Sequence, residues 1–199
     1  MEDKFREYGL LEVRSVDPRI EVDLRYATPD NFTGFIIYAH LRNAYLVPEA
    51  ARRLSLAQDQ LSGSHPGFHL HIYDAARPLS VQRHMYELVK GTPSEQYVAA
   101  PDKTGFHNYG VAVDLTITDS EGKPLDMGSA FDSFTPLSHV DGESELVAAG
   151  HLSLLALENR LMLRSLMTAQ GFSTNPYEWW HFQLGTLEEV TGRYPLLDF

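Results

Sequence analysis

Cysteine is absent from the 199 residues. That excludes a disulfide framework, a thiol nucleophile and thiolate metal ligands, so any metal has to be held by histidine, aspartate or glutamate. Basic charge is scarce: 16 Lys and Arg against 27 Asp and Glu give a net charge of −11. Nucleic acid and anionic membrane surfaces need a basic footprint, and this balance argues against both as partners. A small zwitterionic substrate is compatible with it. No apolar run approaches the roughly 20 residues of a membrane span. The opening "MEDKFREYGLLEV" has no apolar stretch of signal-peptide length. The expected location is the cytoplasm, or the periplasm if an export signal has been removed. No repeat, low-complexity linker or glycine-rich phosphate loop occurs, and no serine sits in a G-x-S-x-G elbow. A chain of this length buries roughly 70% of its unfolded surface, so residues 1–199 are expected to form one domain.

What is present reads as alternating short strands and helices. Residues 19–27, 67–78, 110–119 and 177–184 are predicted strands. In the third, Val111, Val113, Leu115 and Ile117 share one face while Ala112, Asp114, Thr116 and Thr118 share the other. Helical spacing predicts helices over 47–62, 78–91 and 150–171, the last two stopping at Gly91 and Gly171. The expected class is α+β, with a small, largely antiparallel central sheet flanked by helices.

Nine histidines supply candidate ligands. In "HNYGVAVD", His107 stands in a loop and Asp114 in the middle of a strand, on its small, polar face. A carboxylate there needs a cation or a hydrogen-bond donor. The separation of seven residues points the two side chains apart on a straight strand, and Gly110 is where the loop could fold back. A capping aspartate beside an unrelated surface histidine is the alternative. In "EWWH", His181 would complete a His/Asp/His set, the pattern of three protein ligands plus an open position found in catalytic zinc sites. Glu178 would then serve as general base, provided the strand begins irregularly, since regular pleating sends positions 178 and 181 to opposite faces. The alternative is a hydrophobic edge strand in which Trp179 and Trp180 pack on the sheet. In "YDAARP", Arg77 could stabilise an oxyanion and Asp74 could orient it, or the two could form a surface ion pair. His69 and His71 in "HLH" share a strand face and make a competing ligand pair. His40, His65, His84, His139 and His151 have no ligand-like company.

Together these stretches resemble a known family. "HNYGVAVD" is similar to the H-x-x-G-x-A-x-D core of the M15 zinc peptidases, and "EWWH", 64 residues beyond Asp114, to their E-x-W-H. Within that family the resemblance is closest to D-alanyl-D-alanine dipeptidases of the VanX type. It extends through "DLRYATPDNFTG" (23–34), "YDAARP" (73–78), "MGSAFD" (127–132) and "YEWWHF" (177–182). The resemblance implies an M15/hedgehog-like fold and one zinc ion per chain held by His107, Asp114 and His181. It further implies Glu178 as general base and Arg77 as the stabiliser of the tetrahedral intermediate. Asp74 supports the arginine, and Trp180 belongs to the rigid frame. Tyr26 and Asp132 would receive the free amino end of a small dipeptide. A peptide extended at that end would leave Asp132 charged and unpaired, which is costly. The family's serine two residues before the first histidine is Gly105 here, with Thr104 or an ordered water as the substitute, so the identity of the dipeptide stays open. A muropeptide carboxypeptidase or endopeptidase of the same fold is the alternative activity. A non-catalytic zinc-binding module is a third reading, and it leaves Glu178 and Arg77 without a purpose.

Overall fold

The computed structural model describes residues 1–100 and 102–199, the Gln96 side chain excepted. Helix α1 (Glu2–Glu7), strand β1 (Leu11–Glu12) and helix α2 (Val13–Val16) open the chain. They are followed by β2 (Glu21–Val22), β3 (Tyr45–Leu46), α3 (Pro48–Ser64), β4 (His69–Asp74), α4 (Leu79–Val89) and β5 (Ala112–Thr118). The remainder comprises α5 (Glu143–Ala148), α6 (Leu154–Ala169), β6 (Phe172–Asn175), β7 (Glu178–Leu184) and α7 (Leu187–Arg193). Five strands make one sheet in the order β2-β4-β5-β7-β6, with β2 parallel to β4 and the other pairs antiparallel. β1 and β3 pair separately. The α+β class with a small, largely antiparallel sheet is the architecture observed.

Helix α3 starts on Pro48, whose fixed φ and missing N–H suit a first helical position. Its apolar side, Ala50, Leu54, Ala57 and Leu61, joins Leu163, Leu166 and Met167 of α6 and Leu70, Ile72, Val113, Leu115 and Ile117 of the sheet in one buried cluster. The other sheet face is buried too, but it carries Asp114, Thr116 and His181 instead. Residues around 26–32, 97–99, 105–106 and 132–134 line the space over it, leaving a cavity.

Three expected elements differ. The 19–27 strand shrinks to Glu21–Val22, and Arg25–Ala27 coil into a 3-10 turn that carries Tyr26. The 150–171 helix begins only at Leu154, because Gly150 takes φ 73° and Ser153 caps the helix by accepting from the Ala156 N–H at 3.0 Å. Phe172–Asn175 form β6 on the outer side of β7, so β7 lies inside the sheet and is not the edge strand that stood as the alternative for it.

Gly110 is the hinge between the His107 loop and β5. It sits at φ 68°, and an added Cβ would lie 2.9 Å from Leu10 Cδ2. Left-handed backbone costs a residue with a side chain about 1–2 kcal/mol. Gly110→Ala is therefore expected to lower Tm by about 2–8 °C, read by thermal unfolding. An unchanged Tm would show that the loop does not depend on this turn.

Candidate active site

Asp114 on β5 lies directly opposite His181 on β7 in the antiparallel register, which puts both side chains on one sheet face. The 3-10 turn Phe106–Tyr109 and the reversal at Gly110 bring His107 back over the same spot. Asp114 Oδ1 lies 3.0 Å from His181 Nδ1 and 3.4 Å from His107 Nε2. The two imidazole nitrogens are 3.2 Å apart. Those separations match the ~3.3 Å between neighbouring ligands of a tetrahedral ion with bonds near 2.0 Å.

The outer nitrogens fix how the rings face. His107 Nδ1–H donates to the Ala75 carbonyl at 2.6 Å, and His181 Nε2–H donates to Gln183 Oε1 at 2.6 Å. The inner nitrogens thus turn electron pairs toward each other and toward a carboxylate, an arrangement that a cation between them satisfies. Burial works against a protonated His181, but the hydrogen bond and charge of Asp114 outweigh it and push the imidazole up. The site favours positive charge. Among the described residues this is the group of three or more ligand-type side chains whose atoms converge within 4.8 Å. His69 and His71 stand apart from it: His71 Nδ1 meets Glu21 Oε2 at 2.9 Å, on the far side of β4.

β7 begins irregularly. Its register against β6 shifts between Thr174 and Asn175, so that Asn175 faces Glu178. Glu178 Oε2 consequently comes within 3.9 Å of His181 Nδ1, and burial pushes this carboxyl up. A second irregularity lies on β4 between Ile72 and Asp74 and sets Asp74 opposite Asp114. Fully buried Asp74 accepts from Arg77 Nε at 3.0 Å and Nη2 at 2.6 Å, and from the Tyr38 hydroxyl at 2.7 Å. Gln82 Oε1 takes Arg77 Nη1 at 2.8 Å. Thus clamped, the guanidinium reaches within 4.0 Å of Asp114 Oδ2. It is an interior clamp, not a surface ion pair.

The Tyr26 hydroxyl donates to Asp132 Oδ1 at 3.1 Å. Asp132 has φ 59°, uncommon for a residue with a side chain. Its Oδ2 is buried with no hydrogen-bond partner. Burial first, then the charge of Asp114, holds this carboxyl well above the usual carboxylate range. An orphaned buried carboxylate oxygen is costly, and an incoming ammonium group would satisfy it.

One cavity of about 400 Å³ is lined by Tyr26, Arg77, His107, Asp114, Asp132, Glu178, Trp180 and His181. The structure therefore brings together all the predicted site residues, with Asp74 just behind Arg77. Trp180 packs edge-on against Phe131, and Trp179 Nε1–H donates to Ser129 Oγ at 3.0 Å, tying β7 to the segment that carries Asp132. Gly105 lines the cavity, and a Cβ there would meet nothing within 4 Å. The Thr104 hydroxyl pairs with that of Tyr109 at 3.2 Å.

Residues 6–196 match the family model described as D-ala-D-ala dipeptidase of the M15 peptidases. The chain belongs to the M15 peptidase family. M15 peptidases are metallopeptidases, and the converging His107–Asp114–His181 group fits that chemistry. A D-alanyl-D-alanine dipeptidase of Escherichia coli K12 is 36% identical over 191 residues, covering 94% of this chain and 89% of that protein. One from Streptomyces coelicolor is 32% identical, covering 90% and 92%. One from Enterococcus faecalis is 27% identical, covering 89% and 92%.

Gln183, Asn175, Gln82 and Tyr38 escaped the sequence reading. Gln183 alone carried a signal, being two residues beyond His181 and so on the same strand face. Asn175 meets its partner through a sheet irregularity, Tyr38 through loop packing and Gln82 from the first turn of α4.

Proposed function

We propose that this M15 peptidase is a zinc-dependent dipeptidase that hydrolyses D-alanyl-D-alanine, or a closely related D-dipeptide, to free D-alanine. The observation that carries this is the unpartnered Asp132 oxygen in the same cavity as the His/Asp/His group. The similarly sized relatives named as D-alanyl-D-alanine dipeptidases support it.

His107 Nε2, Asp114 Oδ1 and His181 Nδ1 would hold the zinc. When bound, zinc polarises a carbonyl and lowers the pKa of water to near 7. The chain's own residues do the rest. Asp132 and Tyr26 receive the substrate ammonium and so fix the scissile amide along the cavity. Glu178 takes a proton from the attacking water and returns it to the leaving amine. Arg77, held still by Asp74 and Gln82, faces the negative charge that grows on the carbonyl oxygen.

A carboxypeptidase acting on longer stem peptides is disfavoured by Asp132, which an extended chain would leave buried and unpaired. Incubation with D-Ala-D-Ala beside a pentapeptide stem separates the two. D-alanine is expected from the dipeptide alone, and release from the pentapeptide at a comparable rate would overturn the dipeptidase reading. Asp132→Asn keeps the shape and removes the charge. Loss of one charged hydrogen bond predicts a KM for D-Ala-D-Ala raised about 10- to 100-fold in steady-state assays. An unchanged KM would place the amino end elsewhere.

A further inference from the structure

Asn175 sits beside the cavity on the last residue of β6, three positions before Glu178. Its Nδ2 donates to Glu178 Oε2 at 2.8 Å. Its Oδ1 accepts the Tyr177 backbone N–H at 3.1 Å, which closes a local turn before β7. That backbone donor settles which way the amide points: the oxygen is engaged by an N–H, so the amino group faces the carboxylate. The register shift makes Asn175 the direct cross-strand partner of Glu178, so the bond is built into the sheet.

Glu178 stands at the first residue of its strand, where the backbone is not yet regular, and its side chain is about a fifth exposed. A carboxylate at such a place has several rotamers open to it. A base must be within hydrogen-bond reach of the proton it takes, so its orientation is part of its function. We propose that Asn175 is a positioning residue for Glu178. The amide anchors Oε2, the oxygen that lies within 3.9 Å of His181 Nδ1, and so holds the carboxylate at the edge of the His/Asp/His group, where it exchanges protons with water and leaving amine. This rests on Glu178 being the base in the proposed hydrolysis.

Asn175→Asp discriminates this role from a purely structural one. Aspartate still accepts the Tyr177 N–H and keeps the turn, but it cannot donate to Glu178 and sets a second carboxylate against the first. The expected result is a kcat for D-Ala-D-Ala lowered about 10- to 100-fold, with KM and zinc per chain unchanged. Asn175→Ala, which loses both bonds, should show the same loss of kcat with a lower Tm. Equal kcat per bound zinc in Asn175→Asp and the unmodified protein would overturn the proposal. A second readout needs no turnover. In ¹⁵N-labelled protein, Glu178→Ala should move the Asn175 side-chain amide resonances more than those of any other asparagine. Resonances that stay put would also overturn it. Failure of the unmodified protein to cleave D-Ala-D-Ala would instead count against the dipeptidase reading, while the amide resonances still decide the role of Asn175.

Discussion

Glu178→Gln is expected to lower kcat for D-Ala-D-Ala by about 10³-fold or more, the upper part of the range for general acid–base catalysis. The substitution is nearly isosteric, and a neutral amide cannot accept a proton from water. The ligand atoms on His107, Asp114 and His181 are untouched, so zinc content should stay at that of the unmodified protein. Tyr26 and Asp132 are likewise intact, so KM should change little. That combination separates loss of a base from loss of a binding site. Retention of wild-type kcat would remove Glu178 from the mechanism.

His181→Ala is expected to abolish both metal binding and turnover. His181 is 8% exposed, and its ring is fixed by Gln183 on one side and Asp114 on the other. Removing it leaves two ligands, His107 and Asp114, too few to hold zinc in a three-ligand site. Dialysis followed by elemental analysis should find less than a tenth of a zinc per chain, on the order expected when a ligand is lost outright. Gln183→Leu tests the same ring more gently. It removes the acceptor that fixes the tautomer, and zinc affinity should fall about 10- to 100-fold in competition with a chelator. Full zinc occupancy in His181→Ala would mean that the metal lies elsewhere.

The parts of this site that sequence made legible are those governed by local rules. Asp114 is recognisable because a carboxylate on the polar face of an otherwise apolar strand demands a partner. His107 and Asp114 converge only if the chain reverses between them, and Gly110 marks the place. The irregular start needed at Glu178 is visible as a conflict between its proposed role and strand parity. What stayed hidden depends on tertiary pairing. Residues 173–175 are turn-formers, yet β7 offers them a strand edge, and pairing overrides propensity. The predicted 150–171 helix has unbroken helical spacing, but Gly150 and the Ser153 cap decide its start. Tyr38 reaches Asp74 from 36 residues away through loop packing that carries no periodic signal.

The proposal that His107, Asp114 and His181 hold a single zinc ion predicts that D-dipeptide hydrolysis rises and falls with zinc content. Its most direct test is titration of zinc into chelator-stripped protein, with D-alanine release from D-Ala-D-Ala measured at each step. Activity should be absent at the start, rise linearly with added zinc and level off at one equivalent per chain. Undiminished D-alanine release from the stripped protein would contradict the claim.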